Sequence, residues 1–247
     1  MLSHYAVHTP LQGKPNKVAR YQKVAEAKRQ GKPAYAAMVE SVDDSVGKVM
    51  NTLGELGLDK DTLVIFTSDN GGFARATNNA PLRANKGSNY EGGLRVPVII
   101  KWPGRTKPGS GSREPVISTD FYPTILAATG HNLRPHQHVD GEDLTPLLTG
   151  KGSLNRDALF WHYPHYNRHP QNFPSGVIRA GDWKLIEAYE TGKLSLYNLV
   201  DDIGETNDLS EKQPKKTEEL LAKLKAWQDK VGADPMRPNP EYEGLRP

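Results

Sequence analysis

The 247-residue chain contains no cysteine. That excludes disulfides, thiolate-bound metals and a cysteine nucleophile within it, and leaves thiol chemistry silent about its compartment. No apolar run approaches the roughly 20 residues a membrane-spanning helix needs. The opening "MLSHYAVHTP" has neither a basic stretch nor a long apolar core, so no signal peptide is visible. Charge of one sign is also lacking: 32 Lys and Arg oppose 29 Asp and Glu, a formal net charge of +3 spread along the chain. Such a balance does not indicate nucleic-acid binding, and it is compatible with an anionic substrate without arguing for one. No internal repeat or low-complexity segment is present.

The length suits one large domain, or one domain with a smaller companion. Pro10, Pro15 and Pro33 punctuate a mixed opening. From Ala34 the segment "AYAAMVESVDDSVGKVMNTLGELGL" repeats apolar residues at steps of three and four: Tyr35, Val39, Val42, Val46, Val49, Leu53 and Leu56. The spacing predicts an amphipathic helix with one buried stripe and Gly57 as its C-terminal cap. "TLVIFT" follows, short, β-branched and without alternation, the pattern of a strand covered on both faces in a parallel sheet. A second such strand is "VPVIIKW", 96–102, and "DFYPTILAATG" predicts a helix with Asp120 as a possible cap. After Gly150 the texture changes. "SGVIRAGDWKLIEAYETGKLSLYNL" reads as short antiparallel strands joined at "AGD" and "ETGK", and "KKTEELLAKLKAWQDKVG" as a helix with Leu220, Leu221, Leu224 and Trp227 on one face. The closing residues, rich in Pro and charge, read as a surface tail.

Candidate chemistry begins where "TLVIFT" runs into Ser68, Asp69, Asn70, Gly71 and Gly72. In open α/β sheets ligands bind beyond the carboxyl ends of the strands, and an acid beside an amide offers the hard oxygens that Ca²⁺ or Mg²⁺ takes. A simple turn, with both side chains bonding the local backbone, is the reading that "DNGG" alone favours. Arg83 and Lys86 lie in the Gly-rich "LRANKGSNYEGGLRVP" and suit an oxyanion, although most lysines are simply solvated. His8 is a lone histidine. His162, His165 and His169 form an aromatic, imidazole-rich loop without metal-ligand spacing, better suited to packing or a pocket wall. Asp43 and Asp44 are adjacent on a helix and read as a solvated face. "VDDIGETNDLS" lacks the pattern of a calcium loop and reads as a capped turn.

Seven segments occur in a recognisable order: "HYAVHTPLQ", "YAAMVESVDDSVGKVM", "DTLVIFTSDNGG", "LRANKGSNYEGGLRVPVIIKWPG", "STDFYPTILAATG", "DGEDLTPLL" and "IRAGDWKLIE…LYNL". Together they resemble the type I, formylglycine-dependent sulfatases and arylsulfatases of the alkaline phosphatase superfamily. The resemblance runs over nearly the whole chain and corresponds to the C-terminal half of such an enzyme. It implies an α/β fold: the back half of an alkaline-phosphatase-like mixed or parallel sheet flanked by helices over 1–152. A small antiparallel β subdomain with a packed terminal helix would occupy 153–247. It implies sulfuric ester hydrolysis, with sulfated glycans among the plausible substrates. Asp69 and Asn70 match a pair of metal ligands, for which Ca²⁺ is the implied ion. Lys86 and His8 match residues that contact the sulfate, and Arg83, His162 and His165 are candidates for the pocket wall.

The nucleophile of that family is a formylglycine made from Cys or Ser in a C/S-x-P/A-x-R signature. No serine of this chain stands in that pattern, so the chain is expected to be inactive alone and marginally folded, with an exposed sheet edge. The resemblance further implies a periplasmic, secreted or lysosomal setting. The alternatives are a phosphodiesterase or phosphonate hydrolase of the same superfamily, and a non-catalytic subunit or anion-binding pseudoenzyme that pairs with a separate N-terminal chain.

Overall fold

A computed structural model describes residues 1–28, 31–237 and 239. In chain order its elements are α1 (Pro15–Gln22), α2 (Pro33–Glu55), β1 (Val64–Thr67), α3 (Glu91–Leu94), β2 (Val98–Lys101), α4 (Phe121–Ala128), α5 (Thr145–Leu148), β3 (Leu159–Tyr163), β4 (Ser175–Ala180), β5 (Trp183–Ala188), β6 (Leu194–Asn198) and α6 (Pro214–Val231). This is a mixed α/β chain that divides into two compact, interleaved units. One comprises Met1–Ser68 and Pro97–Arg156, the other Asp69–Val96 and Asp157–Pro247. The tail expected at the C-terminus lies, from residue 240 on, outside the described residues.

In the first unit α1, absent from the sequence reading, packs on α2. Lys17, buried despite its charge, lies 3.0 Å from Glu40 and also pairs with Asp44, while Arg20 pairs with Glu40. Asp44 is therefore an ion-pair partner as well as a surface residue. Helix α2 ends as predicted, with the amide of Leu58 donating to the carbonyl of Leu53 around Gly57. Its burial differs from the expected stripe. Only Tyr35, Ala36, Ala37 and Met38, in the first turns, are buried, whereas Val39, Val49 and Leu56 are 44%, 38% and 65% exposed.

Strands β1 and β2 also depart from expectation. They pair with each other and run antiparallel, Val64 opposite Lys101 and Thr67 opposite Val98, not parallel. They form a two-stranded sheet, so neither is sandwiched, and Phe66 and Ile99 remain 37% and 63% exposed. A β-branched run without alternation cannot distinguish a buried strand from one whose second face lacks a covering layer.

The polar centre of this unit is Asp120. It is fully buried, and Arg156 binds it through Nη1 to Oδ1 at 2.5 Å and Nη2 to Oδ2 at 2.7 Å. The amides of Ile117 and Glu142 donate to the same carboxylate at 2.8 and 3.0 Å. Asp120 stands at the N-cap position of α4 as expected, but its carboxylate makes no cap bond to that helix and instead cross-links "STDF", "DGED" and Arg156. Removing one partner of a buried, fully bonded ion pair leaves an uncompensated charge, at a cost of about 3–5 kcal/mol. Asp120→Ala should lower unfolding stability by that amount in urea titrations, and Arg156→Ala by a similar amount. A loss below about 1 kcal/mol in both would contradict the cross-link.

The second unit is built on the four-stranded antiparallel sheet β3-β4-β5-β6, as the sequence indicated. Alternation along β4 and β5 sends side chains to two faces. On one, Ile178, Leu185 and Leu196 pack against Leu220 and Leu224 of α6, with Phe160 stacked on Trp227 at 5.0 Å. On the other, Val177, Ile186 and Tyr197 pack against Tyr90, with Ala84 and Phe173 beside them. Tyr90 and Ala84 belong to the "LRANKGSNYEGG" segment, so this sheet face is the floor under Lys86.

Candidate functional site

The segment 69–96 is anchored to that floor by buried charge. Lys184, from β5, is inaccessible to solvent, with its ammonium 3.0 Å from Glu91 and 2.8 Å from Glu205. The Glu205 contact is ion pairing without hydrogen-bond alignment at Oε1. The other Glu205 oxygen accepts the amide of Glu91 at 2.7 Å, which fixes the start of α3. Burial pushes the Glu205 carboxyl above its ordinary range, against the pull of Lys184. Arg83 serves the same scaffold. Its guanidinium lies 3.9 Å from the centre of the Tyr90 ring and donates to the carbonyl of Glu205 at 2.7 Å and to the hydroxyl of Tyr197 at 3.2 Å. Burial raises the Tyr90 hydroxyl to about 12, so it stays protonated.

Above this scaffold the two glycine-rich loops meet. The amide of Lys86 donates to the carbonyl of Gly72 at 3.0 Å, and the amide of Gly71 to the carbonyl of Gly93 at 3.0 Å. Asn79 ties them together. Its Oδ1 accepts the amide of Gly72 at 3.2 Å, and its Nδ2 donates to the carbonyls of Gly92 at 2.9 Å and Ala84 at 3.2 Å. A side chain on Gly71 would place its Cβ 1.8 Å from the carbonyl oxygen of Gly92, so glycine is the residue that lets the loops touch. The backbone of Lys86 is thereby joined to Gly72, two residues after Asn70. The Lys86 ammonium makes no hydrogen bond or ion pair with another described residue.

The remaining candidates divide. His162 is structural: its Nε2 lies 2.7 Å from the carbonyl of Asp234 and its Nδ1 2.6 Å from the Tyr189 hydroxyl. A carbonyl only accepts, so Nε2 carries the proton and Tyr189 donates to Nδ1. His165 is exposed, edge-on to Tyr163 at 5.5 Å. His8 belongs to the other unit. It sits on an exposed turn, Nδ1 3.0 Å from the carbonyl of Thr9, and no strand precedes it among the described residues. "VDDIGETNDLS" is the expected capped turn, the Asp202 carboxylate accepting the amides of Thr206 and Asn207 at 2.7 Å each. Asn79, Glu91, Lys184 and Glu205 escaped the sequence reading because each is an ordinary polar residue until its distant partners are known.

Whether these residues fit a Ca²⁺ ion can be judged from their chemistry. Asp69 and Asn70 offer hard oxygens, but the ion takes six to eight. Among the described residues no group of three or more His, Cys, Asp or Glu side chains converges on one point. Asp69 and Asn70 therefore do not complete a Ca²⁺ site with other acidic or imidazole side chains among the described residues.

Asn79 can be tested directly. Asn79→Ala strands the Gly72 amide and the Gly92 carbonyl, each costing about 1–3 kcal/mol if buried without a partner. The expected loss is about 2–4 kcal/mol in urea unfolding, and Gly71→Ala should cost at least about 2 kcal/mol through overpacking. Near-neutral values for both would contradict the loop junction.

Comparisons with known proteins agree with this architecture. The family model described as "Sulfatase" matches residues 1–131, and that described as "N-sulphoglucosamine sulphohydrolase, C-terminal" matches residues 84–232. A "Sulfatase" of Formosa agariphila is 38% identical over 247 aligned residues, covering 90% of this chain and 44% of that protein. Among solved structures, Ps i-CgsB, also determined in complex with a neocarrahexaose, superposes with a TM-score of 0.79 at 32% identity, covering 92% of this chain and 49% of its own. BT4656, in complex with its substrate D-glucosamine-2-N,6-O-disulfate, gives 0.70 at 27% identity, covering 84% and 42%. The chain thus spans less than half the length of each of these relatives, and its fold is that of the sulfatases of the alkaline phosphatase superfamily. With a family model matching more than half of its residues, the chain belongs to the sulfatase family.

Proposed function

We propose that the chain supplies the sulfate-binding edge of a sulfuric ester hydrolase acting on sulfated glycans. The observation that carries it is the Lys86 ammonium, without a partner among the described residues and pinned through its own amide to the carbonyl of Gly72, two residues from Asn70. A cation held on a rigid, half-buried loop is preorganised for an oxyanion, since no reorganisation is needed when charge arrives. Lys86 binds and orients the sulfate and stabilises negative charge on its oxygens. Asp69 and Asn70 are two ligands of a cation whose remaining ligands come from outside residues 1–247. For His8, which belongs to the other unit, a sulfate contact rests on the sequence resemblance alone.

The glycan class is supported by relatives solved with a carrageenan-type oligosaccharide and a sulfated glucosamine. The absence of a cysteine, and of a serine in the C/S-x-P/A-x-R pattern, leaves no side chain here to become the aldehyde nucleophile. Residues 1–247 alone are therefore expected to bind sulfate without turning over its esters.

Titration of the purified chain with inorganic sulfate, followed by amide chemical shifts, tests the assignment. The expected result is saturable shifts at Gly72, Lys86 and Gly87 with a Kd near the millimolar range, lost in Lys86→Ala at unchanged thermal stability. Sulfate shifts that survive Lys86→Ala would remove Lys86 from the site.

A further inference from the structure

Lys86 is followed by Gly87, whose φ is +84° and whose missing side chain leaves room for an imidazole: a Cβ there would lie 2.5 Å from Cδ2 of His169. The carbonyl of Gly87 accepts two side-chain amides, Nδ2 of Asn167 and Nδ2 of Asn172, each at 2.8 Å. Ser88 donates to the carbonyl of Gln171 at 3.2 Å, and the Asn167 carboxamide oxygen accepts the amide of His169 at 2.9 Å. His169 also meets Phe73 edge-on at 6.0 Å. The loop between β3 and β4 is therefore clamped on the peptide that follows Lys86, although some eighty residues separate them in sequence. Nothing in the folding of the sheet demands such a clamp, because β3 and β4 are already paired along their full length.

Charge along the two clamped segments is one-sided. Residues 73–90 and 158–181 contain Arg75, Arg83, Lys86, Arg168 and Arg179 and not one Asp or Glu. Arg83 is committed to Tyr90 and Glu205, and Arg179 faces Glu91 at 3.8 Å. Arg168 is exposed, makes no hydrogen bond or ion pair with another described residue, and stands between the two residues, Asn167 and His169, that touch Gly87. His165, also exposed, is on the same loop. The clamp fixes the backbone on either side of Arg168 against the residue that follows Lys86, and two unpaired cations on joined loops suit a ligand with two anionic groups, the guanidinium fork matching a sulfate or carboxylate bidentately.

We propose that the loop 164–172 is a second anion subsite, in which Arg168, with His165 beside it, binds a further sulfate or carboxylate of a multiply charged glycan whose reacting sulfate lies on Lys86. The inference rests on the sulfate assignment of Lys86 and adds the substrate class: sugars bearing at least two anionic groups close together.

The test uses the full chain and two probes, N-acetyl-D-glucosamine 6-sulfate and D-glucosamine 2-N,6-O-disulfate, with affinity read from amide shifts. The wild type is expected to bind the disulfated sugar about tenfold more tightly, the effect of one added charged contact. Arg168→Ala should abolish that preference while leaving the affinity for the monosulfated sugar and the melting temperature unchanged, and Arg168→Lys should restore part of it. Asn172→Ala, which loosens the clamp, should reduce the preference without touching a ligand-binding group. Equal affinity for the two sugars in the wild type, or a preference that survives Arg168→Ala, overturns the subsite while Lys86 keeps its role. Binding of neither sugar overturns both assignments.

Discussion

The contact on which the second unit depends is the junction of two glycine-rich loops around one carboxamide. Asn79 alone satisfies backbone groups of Gly72, Ala84 and Gly92. The loops can come that close only because Gly71 presents no side chain to the carbonyl of Gly92. That closeness joins the loop that follows Asp69 and Asn70 to the loop that carries Lys86, through the bond from the Lys86 amide to the Gly72 carbonyl. The buried charges beneath set the height of the platform. Lys184 holds Glu91 and Glu205, and Arg83 bridges Glu205 to the Tyr90 ring. The carboxylates of the scaffold are occupied with Lys184 and the arginines, while the Lys86 ammonium has no partner among the described residues.

Much of this was legible in sequence where the signal is local. The four-stranded meander was readable because its turns, "AGD" and "ETGK", fall between alternating apolar runs, and α6 because Leu220 and Leu224 repeat at helical spacing. The "DNGG" and "ANKG" loops stood out because glycine marks backbone close approach. Long-range partnership was not legible. Lys184 looks like any strand lysine, and its burial follows from Glu91 and Glu205, which approach it from distant parts of the chain. The same holds for Asp120, taken as a cap and found as the partner of Arg156. Arg83 and His162, candidates for a pocket wall, turn out to be held by Tyr90 and Tyr189.

The first unit shows the complementary limit. Helical periodicity along α2 predicted one buried stripe, and the β-branched character of β1 and β2 strands covered on both faces. Instead Val39, Val49, Leu56 and Ile99 are open to solvent, and the two strands pair antiparallel. Sequence pattern records which faces are apolar, not what covers them. That exposure and the two-oxygen donor set of Asp69 and Asn70 stand beside a span of less than half the length of each compared relative.

The measurement that tests this account most directly is a turnover assay of purified residues 1–247 with an aryl sulfate, with and without added Ca²⁺, alongside Ca²⁺ titration by calorimetry. The account predicts no hydrolysis above the uncatalysed rate and Ca²⁺ affinity no tighter than about millimolar, as two protein oxygens cannot replace the six to eight the ion takes. Sustained, Ca²⁺-dependent turnover that Lys86→Ala abolishes would contradict it, and would mean that this chain carries a nucleophile and a complete metal site of its own.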